Sequence, residues 1–152
     1  MKYRKEPLNN EALIEAIHKM TEEPTGESQK AMLTILAKSE LYIPTKLSPV
    51  PKKTSDGRYM MTPKTKISFI SAHQKMGEED RGYFLAFTDN DAYKKWAAGK
   101  KYEVLTASFD DYAVMLLRPG ATFDGLVLNP GTDNITIRKG VVKQVIKNTS
   151  EF

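Results

Sequence analysis

The residues with the widest chemical range in this chain are its two histidines, His18 and His73. An imidazole titrates near physiological pH and can serve as general acid, general base or metal ligand. His18 is one step from Ile17 and one turn from Ile14, at the edge of an apolar helical stripe, where a boundary role fits. His73 ends a strand-like run and alternates with Ile67 and Phe69. It is of the right type for a general base, but no G-x-S-x-G nucleophile elbow and no H-E-x-x-H pair accompanies it. The chain contains no cysteine, which removes disulfides, thiolate metal sites and a thiol nucleophile together.

The carboxylates point the same way. Asp110 and Asp111 are adjacent, and adjacent helix positions diverge by about 100°, so the pair does not converge on one substrate atom. Both acids suit the start of a helix. Glu78-Glu79-Asp80 is metal-like in composition but lacks ligand spacing, and reads as a solvated turn. From these residues we expect no catalytic set, no metal and no cofactor.

Three other features have alternative readings. Asn129-Pro130-Gly131-Thr132-Asp133-Asn134 is a turn with Pro and Gly where type II geometry wants them. Its structural reading is a hairpin stitched shut by Asn129 and Asn134. Its functional reading is a rim in which Asn129, Asp133 and Asn134 meet a ligand or partner, Asp133 being left over by the stitching. The second feature is basic: 46–66 holds Lys46, Lys52, Lys53, Arg58, Lys64 and Lys66 against Asp56 alone. A solvated loop is one reading. An anionic partner, nucleic acid included, is the other, with Lys52, Lys53 and Arg58 as the candidate contacts and Tyr59 the nearby aromatic. Trp96, with Ala92 one turn before it, reads as core.

These residues need elements to position them. Apolar spacing predicts helices over 9–20 and 27–38, the first capped by Asn9 or Asn10 and ended at Pro24 and Gly26. Thr88 with Asp91, and Ser108 with Asp111, have capping-box spacing and open two further helices, which Gly99 and Pro119-Gly120 end. A short last helix spans 139–147. Strands are expected at 41–44, closed by Pro44, and at 65–73, 81–87, 103–105, 125–128 and 135–137. The run 81–87 is apolar on both faces, as a central strand covered on both sides would be. Between the first two strands lies a long basic connection, 45–64, in which Asp56-Gly57 favours a tight hairpin. The order implies an α/β (α+β) domain, a mixed sheet of about five strands flanked by helices. Phe84, Ala86, Phe109, Leu116, Val127 and Leu128 should form its core.

The chain has 152 residues, 40% hydrophobic and 28% charged. That suits a single domain over 1–152, with 1–26 as an N-terminal helical extension. Its formal net charge is +4, and 46–66 alone carries +5. No run of about 18 apolar residues suggests a membrane span, and the start lacks a signal-peptide pattern. Absence of cysteine suits a reducing, cytoplasmic compartment.

The motifs in this order resemble a known family. Phe84-Leu85-Ala86-Phe87-Thr88-Asp89 leading to Trp96, the Ser108–Tyr112 helix start, the Gly125–Asn134 strand and turn, and Leu41-Tyr42-Ile43-Pro44 are similar to segments of the SseB N-terminal-domain family. The resemblance spans roughly 27–146. It implies an α/β fold and a cytoplasmic protein. The family is named for a growth phenotype, enhanced serine sensitivity, and the resemblance brings no catalytic motif. The leading expectation is therefore a non-enzymatic binding or regulatory module with a protein partner. The alternatives are a small-molecule or enzymatic site near the Asn129–Asn134 turn, and weak nucleic-acid or anionic-partner binding through 46–66.

Overall fold

A computed structural model describes residues 1–2, 6–48, 55, 66–76 and 79–150. Two helices, α1 (Glu11–Glu22) and α2 (Gly26–Leu36), precede four strands: β1 (Glu40–Ser48), β2 (Lys66–Phe69), β3 (Ser71–Met76) and β4 (Glu79–Ala86). Then come α3 (Asn90–Ala97), β5 (Glu103–Ser108), α4 (Phe109–Leu117), β6 (Phe123–Leu128), β7 (Ile135–Arg138) and α5 (Lys139–Ser150).

The class is mixed α/β, and the strands divide between two sheets. One sheet has the order β2-β1-β5 and is antiparallel throughout. The other has the order β3-β4-β6-β7, with β4 and β6 parallel and the outer pairs antiparallel. A bridge joins them: Tyr42 N–H donates to the Phe87 carbonyl and Phe87 N–H to the Tyr42 carbonyl, each at 2.9 Å. The expected single sheet of about five strands is thus seven described strands in two sheets meeting at that bridge.

Pro44 explains part of the difference. It does not close β1, which continues to Ser48. The Pro44 carbonyl accepts from Ile70 N–H at 3.3 Å, so its missing N–H faces the end of β2, where the ladder stops. The basic connection is consequently shorter than expected. Ser48 and Lys66 are paired across an antiparallel ladder, so 49–65 leaves and re-enters the same two-stranded ribbon. Lys52, Lys53, Arg58 and the Asp56-Gly57 pair lie outside the described residues.

β4 runs through the middle, as its two apolar faces require. Phe84 and Ala86 enter the main core with Leu41, Ile43, Leu105, Phe109, Tyr112, Leu116, Leu126 and Leu128. Tyr83, Leu85 and Phe87 enter a second cluster with Ala92 and Val127, against which Tyr93 and Trp96 pack. Leu13 and Ile17 of α1 and Met32 and Leu36 of α2 belong to the main core, so α1 is a structural layer rather than an appendage. Gly125 marks a close approach inside the second sheet. A Cβ there would run into the Ile137 carbonyl oxygen across the β6–β7 pair.

The caps show where local rules hold and where long-range contacts override them. Ser108 and Asp111 form the expected capping box on α4, at 3.1 and 2.9 Å. α3 is capped by Asp89, not Thr88: the Asp89 carboxylate accepts from Ala92 N–H at 2.8 Å. Asn10 occupies the cap position of α1, but its side chain makes no cap bond. Its amide instead donates to the Glu40 and Thr88 carbonyls, both at 2.8 Å. Thr25 and Ser28 box the start of α2.

Candidate functional site

The polar groups at the carboxyl ends of the parallel strands β4 and β6 come from the segments that follow them, Thr88-Asp89 and Asn129–Asn134. In open α/β sheets this is where ligands are held. Asn129 is 2% exposed and sits at the centre. Its backbone N–H donates to the Ala86 carbonyl at 2.8 Å. Its side-chain oxygen accepts from Thr88 N–H at 2.9 Å, and its amide donates to the Thr88 hydroxyl at 3.1 Å and to the Asp133 carboxylate at 2.8 Å. The Thr88 hydroxyl donates in turn to Asp89 at 2.7 Å. That occupied hydroxyl is why Asp89, rather than Thr88, caps α3.

The turn has the geometry its sequence predicts. Gly131 has a φ of +87° and Thr132 N–H returns to the Asn129 carbonyl at 3.2 Å, as in type II. Asn134 N–H reaches the same carbonyl at 2.9 Å. Asn129 and Asn134 both take the left-handed conformation, at +50° and +57°. The rim reading changes in two respects. The Asn129 amide is consumed by the scaffold and is too deep to meet a ligand. Asp133 is not left over, because it accepts from that amide and helps hold the turn. Asn134 remains at the surface.

Asn10 ties this junction to an open groove. The groove has a volume of about 670 Å³ and is lined by 8–13, at the start of α1, and by Thr34, Ile35, Lys38, Ser39 and Glu40, where α2 leads into β1. Because Asn10 turns away to Thr88 and Glu40, its side chain caps no N–H of α1, and the Glu11 N–H donates instead to the Asn9 side chain at 3.3 Å. Leu8, Ala12 and Ile35 supply apolar surface, Lys38 a cation, and Glu11 and Glu40 carboxylates. Sequence spacing did not reveal this groove, because Asn10 looks like an ordinary cap until the fold brings Thr88 beside it.

Other titratable groups are tied into the scaffold. Burial pushes the Tyr112 hydroxyl well above its ordinary pKa, the Asp111 charge adds to this, and the hydroxyl donates to the Leu85 carbonyl at 2.8 Å. Burial also raises Tyr93, against the Tyr102 N–H bond it accepts at 3.3 Å. At Asp111 burial pushes upward, but the Ser108 N–H and the nearby Met1 amine outweigh it and hold the carboxyl below its usual value. His18 is exposed on α1. His73 is exposed on β3, with its Nε2 3.1 Å from the Ser71 hydroxyl. Among the described residues no group of three or more His, Asp or Glu side chains is arranged to hold a metal ion, and no helix is long and apolar enough to cross a membrane.

Fold and junction together define a small mixed α/β domain whose parallel-strand ends are closed by an asparagine joint. The family model for the SseB protein N-terminal domain matches residues 13–144, and the chain belongs to that family. The match takes in most of α1, which the motif resemblance did not cover. No curated protein and no solved structure matches the chain.

Proposed function

We propose that this domain is a non-enzymatic binding and regulatory module that takes a segment of a protein partner in the groove between α1 and α2. The observation that supports the reading is the groove itself, an open channel whose lining mixes Leu8, Ala12 and Ile35 with Glu11, Lys38 and Glu40. Elsewhere in the fold, burial raises Tyr93 and Tyr112, and at Asp111 burial is outweighed by the Ser108 N–H and the Met1 amine, so each shift has a structural account without chemistry. A chain without cysteine fits work in the cytoplasm.

The test is site-specific photo-crosslinking in cells. A photoreactive side chain at Thr34, exposed and on the groove wall, should give a discrete adduct. The same group at Gln144, exposed on α5, should not. Identical patterns from both positions would remove the groove from consideration. A second reading, a small-molecule or enzymatic site near Asn129–Asn134, is favoured by the turn's place at the ends of β4 and β6. A metabolite that raises the melting temperature, and loses that effect when Asn134 is replaced, would support it.

A further inference from the structure

The far end of β1 from the groove has a different chemistry. Lys46 and Ser48 alternate onto one face of β1, and their antiparallel partners Ser68 and Lys66 share that face. All four are exposed. The same face continues to Tyr42 and Ile70, which pack against the second core cluster. Lys46 lies one residue beyond the Thr45–Glu103 pair, which brings it to the start of β5 and therefore to Tyr102.

Tyr102 ends a row of aromatic rings. Phe87, fully buried, is 5.3 Å from Trp96, and Trp96 is 5.3 Å from Tyr102 with the ring planes tilted by 33°. Trp96 and Tyr102 are only partly buried. α3 and the following loop, which carry Trp96 and Tyr102, also expose Lys94, Lys95, Lys100 and Lys101. Among the described residues, 46–48, 66–69 and 94–103 hold six lysines, Lys46, Lys66, Lys94, Lys95, Lys100 and Lys101, and one acid, Glu103.

We propose that this face binds single-stranded nucleic acid, with the lysines on phosphates and the Trp96–Tyr102 edge against bases. Lysine clusters with serine hydroxyls meet phosphate oxygens. Aromatic rings among the cations add what an acidic peptide does not use, a surface on which any base can stack. A duplex hides its base faces, so the preference is for single strands. The surface shares no residue with the groove, and it stands or falls separately from the partner reading.

The experiment is fluorescence anisotropy of the full chain with labelled oligothymidine and oligouridine of about 20 nucleotides, a matching duplex, and polyglutamate. Both single strands should bind more tightly than the duplex, and binding should quench the chain's single tryptophan, Trp96. At about 50 mM salt each phosphate contact to a single strand is worth close to tenfold. Lys100→Gln with Lys101→Gln, or Lys46→Gln with Lys66→Gln, should therefore weaken binding on the order of 50-fold and reduce the log–log salt slope by about 1.4. These lysines are exposed, so folding is expected to persist. Tyr102→Phe should retain the quenching, and Tyr102→Ala should reduce it. Unchanged affinity and slope in both lysine pairs would overturn the proposal. So would polyglutamate binding without strand binding, or strand binding that leaves Trp96 fluorescence unaltered.

Discussion

Replacing Asn129 with alanine should cost the domain about 2–4 kcal/mol, and the sum follows from two losses. Thr88 is fully buried, and its N–H donates to the Asn129 side-chain oxygen at 2.9 Å. Leaving a buried N–H without an acceptor costs about 1–3 kcal/mol. The Asn129 backbone has a φ of +50°, which asparagine tolerates and which costs alanine roughly 1 kcal/mol. Urea unfolding measures the total, and an unchanged m-value would show that native and denatured compactness are preserved. Asn129→Gly separates the losses, because glycine removes the backbone strain and keeps the orphaned N–H. Asn129→Asp keeps an acceptor for Thr88 but sets a second carboxylate against Asp133, now 2.8 Å from the amide nitrogen. Its penalty should be larger at pH 7 than at pH 4, where protonation relieves the repulsion. Asp133→Ala should itself cost about 1 kcal/mol, since it removes a charged acceptor from that amide. An Asn129→Ala protein within about 0.5 kcal/mol of the parent would refute the joint as a stabilising element.

Two glycines should respond differently to alanine. Gly131→Ala should cost about 1 kcal/mol by urea unfolding, because its φ is +87° but its surroundings are open. Gly125→Ala should cost more, because its Cβ meets the Ile137 carbonyl and β6 and β7 must separate. Asp111 predicts a pH dependence. Its folded pKa is depressed, so its contribution is present above its unfolded value, about 3.9, and is lost as pH falls through the folded one. With the side chain 39% exposed the effect is screened and small, and Asp111→Asn should flatten that part of an acid-unfolding profile. Replacing Lys52, Lys53 and Arg58 with alanine should leave the melting temperature nearly unchanged while advancing elution from heparin. Identical elution would count against an anionic partner.

What could be read from the sequence depended on how local its cause was. The two-faced β4 followed from apolar residues at every position of 83–87, and the type II turn from Pro130 and Gly131. Ser108 and Asp111 satisfy each other within four residues, so spacing alone revealed them. Thr88 and Asn10 had equally good local signals that misled. Their side chains are engaged by partners 41 and 78 residues away, which no local pattern encodes. Pro44 misled for a related reason: whether a proline ends a strand depends on which neighbour its missing N–H faces. The groove was hidden by the same rerouting of Asn10. Asp133 was read as spare because turn chemistry accounts for Asn129 and Asn134 through the backbone, whereas the actual bond runs between side chains.

The joint between Thr88 and Asn129 also bears on how quickly the domain comes apart. It links two strand ends separated by 41 residues of chain, and it closes only after β4 and β6 have aligned in parallel with α3, β5 and α4 crossing between them. Its side-chain bonds need both strand ends already in place, so we expect them to form after the transition state for folding, in which the strands are being aligned. Interactions absent from the transition state govern the unfolding rate and leave the folding rate almost untouched. Asn129 is in this sense a latch: weakening it should steepen loss of the native state with time, while refolding from denaturant proceeds at nearly the parental speed.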